Sequence, residues 1–135
     1  MNLFTRKGFT LVEILIVVVI IALLAIMAVP AFKKVNESTH ESAMITDARY
    51  LGAAVQEYIH SNDVTSVAHG YDPADGRITG ELQSQLESIG SGYDIQPAEL
   101  TATTPFTMST PRLRGGAPYT FDADGNLLEK PTADE

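Results

Sequence analysis

Cysteine is absent from all 135 residues. That excludes disulfide staples, Cys-ligated zinc, iron–sulfur clusters and thiol nucleophiles, and it leaves the redox compartment open. Basic side chains are scarce beyond position 32, where seven face sixteen acidic ones, a net charge of −9 against +1 for the residues before. A body so acidic is poorly suited to phosphate backbones, so nucleic acid is not expected as a main ligand. No G-x-S-x-G elbow, P-loop or dinucleotide fingerprint is present, and there is no internal repeat. A 14.6 kDa chain has room for one modest domain and not for a large enzyme with a deep cleft. No enzymatic activity is expected.

The most informative absence is local. Residues 14–32 are nineteen consecutive positions without a charged or polar side chain. As a helix they rise about 28 Å, close to the hydrocarbon thickness of a bilayer. Seven of the first eight are β-branched, which suits a strand in water, but a lone segment in lipid must satisfy its backbone internally and is therefore helical. A buried core helix would show a polar stripe, and none appears. A cleaved secretory signal would need small residues two apart beyond the run, whereas Ala22, Ala25, Ala28 and Ala31 are spaced by three.

The run is preceded by Arg6-Lys7-Gly8-Phe9-Thr10-Leu11-Val12-Glu13. This string resembles the start of type IV pilins and type II secretion pseudopilins, where a short basic leader ends in Gly and is followed by Phe-Thr-Leu-x-Glu. The resemblance covers the leader and about thirty residues of helix. It implies that prepilin peptidase cuts between Gly8 and Phe9 and methylates the new amine of Phe9. It also implies a structural subunit of a pilus-like filament, either a secretion pseudopilus or a type IV pilus, polymerised through its apolar helix. The implied partners are prepilin peptidase, copies of the same chain, minor pilin-like subunits and an inner-membrane assembly platform. The implied location is the bacterial inner membrane, single-pass, with the N-terminus cytoplasmic and the body periplasmic or extracellular. Many pilins carry a C-terminal disulfide loop, which a cysteine-free chain cannot have, and this favours a pseudopilin or a small cysteine-free pilin. A membrane-anchored periplasmic binding module that never polymerises is the alternative, but it would need neither Gly8 nor Glu13.

The physical chemistry of these residues agrees. Gly8 carries no side chain at the scissile bond, so a peptidase can approach the backbone closely. Glu13 is a carboxylate at the edge of hydrocarbon, where an unpaired charge is costly. Cleavage creates a cation one helical turn away, at Phe9, and in the family that amine is thought to pair with the glutamate of a neighbouring subunit. Glu13 could instead complement the positive end of its own helix. Pro30 cannot donate a hydrogen bond and crowds the carbonyl of Ile26, which predicts a kink or local melting over residues 26–30; alternatively it marks the exit from the bilayer.

Four segments follow: a leader, 1–8; a transmembrane and assembly half-helix, 9–32; an amphipathic half, 33–62; and a C-terminal part, 63–135, which forms one globular body with 33–62. Met44, Ala48, Leu51, Val55 and Tyr58 follow a 4-3-4-3 spacing, one face of a helix, with Glu37, Glu41, Asp47, Arg49 and Glu57 opposite. Gly52 and the Ala-rich face point to packing beneath a sheet. Residues 64–79 read as loop, and 81–89 as a short helix with Leu82, Leu86 and Ile89 on one side. A strand is expected at 106–109, and a hairpin over 119–129 around an Asp-Gly turn. The fold class is α+β, a long helix against a small antiparallel sheet. Asp122, Asp124 and Asn126 alternate like the opening of a calcium loop, but Leu127 and Ala133 stand where glycine and the bidentate glutamate belong. Major secretion pseudopilins carry calcium in this part of the body, yet the match is poor, so a plain turn and no cofactor or metal are expected. Asp72 and Asp75 read as turn residues too, and His40, His60 and His69 as scattered, solvated side chains. Arg112 and Arg114 beside Gly115-Gly116 form a small basic loop, suited to an acidic neighbour.

Overall fold

The computed structural model describes residues 8–132. Of the leader, Gly8 alone falls within them; Arg6 and Lys7 lie outside the described residues, and so does Ala133. The described residues divide into two units between Asn36 and Glu37, and one helix, α1 (Leu11–Asn62), contributes residues to both. In the first unit no described side chain is buried. The helix is unbroken at Pro30, so the melting expected over 26–30 is absent from the single chain. One missing donor removes one bond from a ladder whose neighbours remain intact.

The second unit is the globular body. Met44, Ala48, Leu51, Gly52, Ala54 and Val55 of α1 are buried there, the face that the spacing of apolar residues predicts. Asp63 ends the helix with φ +53°, a left-handed conformation that Asp tolerates better than most residues. Four strands, β2 (Asp94–Gln96), β4 (Phe106–Ser109), β5 (Tyr119–Phe121) and β6 (Leu127–Glu129), form an antiparallel sheet in the order β2-β4-β5-β6. Alternation places Ile95, Phe106, Met108, Tyr119 and Phe121 in one core cluster with the buried face of α1. The long helix and small antiparallel sheets make this an α+β, pilin-like layout.

The strand at 106–109 and the hairpin of β5 and β6 fall where the sequence places them. Two expectations need correction. Residues 64–79 are not all loop: β1 (Ser66–Ala68) pairs with β3 (Glu99–Thr101) as a separate antiparallel pair. Its one buried residue, Val67, is too little alternation for a sequence signal. The helix expected over 81–89 is a 3-10 helix confined to Gly80–Ser84. Beyond it the backbone turns outward to pair: the Ile78 N–H donates to the Glu87 carbonyl and the Ile89 N–H to the Gly76 carbonyl. Leu82 and Ile89 are still buried and Leu86 half-buried, so the apolar spacing serves the core without a helix.

Candidate functional site

The head of α1 carries the motif residues. Gly8 and Phe9 precede the helix and are exposed, Phe9 at 87%. Space around Gly8 is open, with nothing within 4 Å of an added Cβ. The fold of the single chain therefore does not demand glycine there, and any demand comes from outside it. Thr10 and Glu13 form a reciprocal cap. The Glu13 carboxylate accepts from the Thr10 N–H at 2.7 Å and from its hydroxyl at 3.0 Å, while the Glu13 N–H donates to Thr10 Oγ1 at 3.2 Å. This is a capping box, which satisfies donors that a helix start otherwise leaves open. Thr10 is thus the capping partner of Glu13, and Thr-x-x-Glu before an apolar run is the signature of that cap. In the single chain Glu13 serves its own helix end, held one residue away from the backbone nitrogen of Phe9. From there every side chain of residues 11–32 is exposed, and α1 is long and apolar enough to cross a membrane.

The candidates of the body lie apart from this motif in sequence and belong to the second unit. Asp122 is a turn residue: Oδ1 accepts from the N–H groups of Asp124 at 3.0 Å and Asn126 at 2.8 Å, and Oδ2 from Asn126 Nδ2 at 3.1 Å. These bonds hold its carboxyl below the usual aspartate range, the Asn126 bonds contributing most. Asp72 and Asp75 accept likewise from Ala74 and Arg77 N–H groups. No group of three or more metal-ligating side chains occurs among the described residues. Arg112 and Arg114 are exposed, and Arg114 opens a short 3-10 turn, Arg114–Gly116.

Three side chains assigned to solvent are not there. Asp47, placed by spacing on the polar side of α1, is half-buried; its Oδ2 accepts from the Gly90 N–H at 3.0 Å and the Tyr93 hydroxyl at 2.8 Å. Glu41 is half-buried too, accepting from Tyr119 Oη at 3.3 Å and pairing with Lys130 at 3.4 Å. His69 is the third: its Nε2 is enclosed. In each case the partner comes from a segment more than twenty residues away or from a turn, so helical spacing held no signal for it. His40 and His60 stay on α1, the first half-exposed and the second exposed.

No curated protein and no solved structure is similar enough to the chain to be significant. Residues 3–29 match the family model described as the prokaryotic N-terminal methylation motif, the signature of type IV pilin-like precursors that prepilin peptidase processes.

Proposed function

We propose that this chain is a structural subunit of a pilus-like filament, a secretion pseudopilus or type IV pilus. Its leader, residues 1–8, is cut between Gly8 and Phe9 and the new amine is methylated. Residues 9–32 anchor it in the inner membrane, N-terminus cytoplasmic and body on the far side, and later pack against other copies and minor subunits on an assembly platform. What carries this reading is the motif at the head of an apolar helical segment that buries nothing in the single chain. A helix apolar on every side needs lipid or other helices around it. Such packing is non-directional: it holds subunits together but does not set their axial offset. A charge pair between Glu13 and a neighbour's Phe9 amine sets it, because mismatched charges in a dry filament core are expensive. Pro30 is then the point where the helix yields within the filament, the missing hydrogen bond lowering the cost of stretching there.

The capping box makes the test selective. Glu13→Gln retains an oxygen acceptor for the Thr10 N–H, since glutamine also completes such a cap, and loses only the charge. Expressed as the sole copy in the native host, it should insert and be processed normally, giving an intact mass that begins at methylated Phe9. Its incorporation into filaments should fall severely. Wild-type assembly by Glu13→Gln would mean that the carboxylate serves its own helix end, and the intersubunit pair would be abandoned. A wild-type chain recovered uncut beside an active peptidase would remove the processing assignment. One that is cut but never found in filaments would leave the anchored binding module.

A further inference from the structure

His69 closes the end of β1, and its ring is held in one protonation state by geometry. Its Nδ1 accepts the Tyr71 N–H at 3.0 Å, so the proton of the neutral ring sits on Nε2. Nε2 is enclosed and makes no well-formed hydrogen bond among the described residues. The His69 N–H itself donates to the Ala98 carbonyl at 3.2 Å. We infer that His69 is an acid-sensitive latch: neutral, it locks the turn between β1 and Tyr71, and protonated, it releases that turn.

A proton added at Nδ1 would point at the Tyr71 N–H, donor against donor, and the accepting lone pair would be gone. Among the described residues no compensating anion is hydrogen-bonded to the ring. The titratable groups around it are the Tyr71 phenol, with ring centroids 6.5 Å apart, Asp94 on β2 and, on β3, Glu99, the register partner of Ala68. Burial lowers the imidazole pKa and outweighs the Ile95 carbonyl and the Asp94 charge, which favour the cation. Release would not stay local. The Tyr71 hydroxyl donates to the Gly90 carbonyl at 2.7 Å and accepts the Tyr93 N–H at 3.1 Å. Gly90 and Tyr93 are the two residues that Asp47 holds on α1. Acid would therefore loosen the attachment of the 70–93 segment to the helix, while Ile95, Phe106, Met108, Tyr119 and Phe121 stay packed.

The test is amide-resolved hydrogen exchange on the full chain in detergent micelles, corrected for intrinsic exchange. The open state binds the proton more readily than the closed one, so opening becomes easier as pH falls below about 6.5, by up to about tenfold per unit. Protection of the Tyr71 amide should fall accordingly between pH 7 and 5, with that of Phe121 and Met108 unchanged. His69→Asn supplies a short acceptor for the amide two residues on, as in an Asx turn, and does not titrate, so its Tyr71 protection should be flat across this range. On the unaltered chain, the His69 ring should titrate below the ordinary histidine value of about 6.5. Acid loss that persists in His69→Asn would overturn the latch. So would full Tyr71 protection at pH 5, or a His69 midpoint at or above the ordinary histidine value of about 6.5.

Discussion

At the residue scale, Asp47 shows how one carboxylate ties a distant loop to a helix. A single oxygen receives the Gly90 amide and the Tyr93 hydroxyl, and the Tyr93 ring stacks at 6.2 Å on Tyr71. Burial, and then the Asp47 hydrogen bond and charge, push the Tyr93 phenol well above its ordinary value. A phenol whose folded pKa is raised contributes stability that is full below about pH 10 and is lost as pH rises beyond it. Tyr93→Phe keeps the ring and removes the hydroxyl, leaving Asp47 with Gly90 alone. It should cost roughly 1–2 kcal/mol at pH 7 and flatten the alkaline fall, as read by urea unfolding at pH 7 and above 10. An unchanged alkaline slope would relocate the effect to Tyr71 or Tyr119, whose phenols burial also raises. None of this was legible from spacing, which put Asp47 among the solvated carboxylates. Its partners come from a loop 43 and 46 residues away, and only the fold lays that loop over α1.

At the element scale, the body-forming part of α1 owes its course to two kinds of residue. Met44, Leu51 and Val55 supply buried volume. Gly52 supplies its absence: an added Cβ would lie 2.5 Å from the Asp124 carbonyl carbon and 2.7 Å from Gly125 N. The hairpin turn of β5 and β6 thus rests directly on the helix backbone. Gly125, at φ +82°, approaches from the other side, its own hypothetical Cβ 2.2 Å from the Ala48 carbonyl oxygen. Gly52→Ala gains about 1 kcal/mol of helix propensity but forces the turn away, an overpacking cost of roughly 1–3 kcal/mol. The clash is with backbone, which cannot rotate aside, so the loss should win and the melting temperature should fall. Ala53→Ser, one position on and exposed, should be close to neutral. Equal melting temperatures for Gly52→Ala and wild type would show that the hairpin can shift at no cost. Gly52 as a packing position was readable beforehand from the small residues of that face. The identity of what presses on it was not.

At the scale of the whole molecule, the two units have opposite needs. The body has a core from α1, β1, the 3-10 segment and the larger sheet, whereas the apolar run buries none of its side chains. Residues 33–135, released from the run, should therefore be a soluble monomer with a stability of about 5 kcal/mol, the low end for a domain with so small a core. Sedimentation and urea unfolding check this; a released body that aggregates or shows no cooperative transition would refute it. Calcium should leave its melting temperature where magnesium does, because Asp122 already spends both carboxylate oxygens on its own turn. Whatever depends on neighbours along the chain was legible from the order of residues alone. That covers the methylation motif within residues 3–29, the lipid-compatible run, the buried face of α1 at 44, 48, 51 and 55, the strand at 106–109 and the last hairpin. Each rests on local periodicity, turn chemistry or a contiguous string. The pairing of β1 with β3, the 3-10 turn in place of a helix at 81–89, and the burial of Asp47, Glu41 and His69 came from the fold. Those depend on which distant backbone donor or hydroxyl arrives at a given side chain, and no spacing along the chain encodes that.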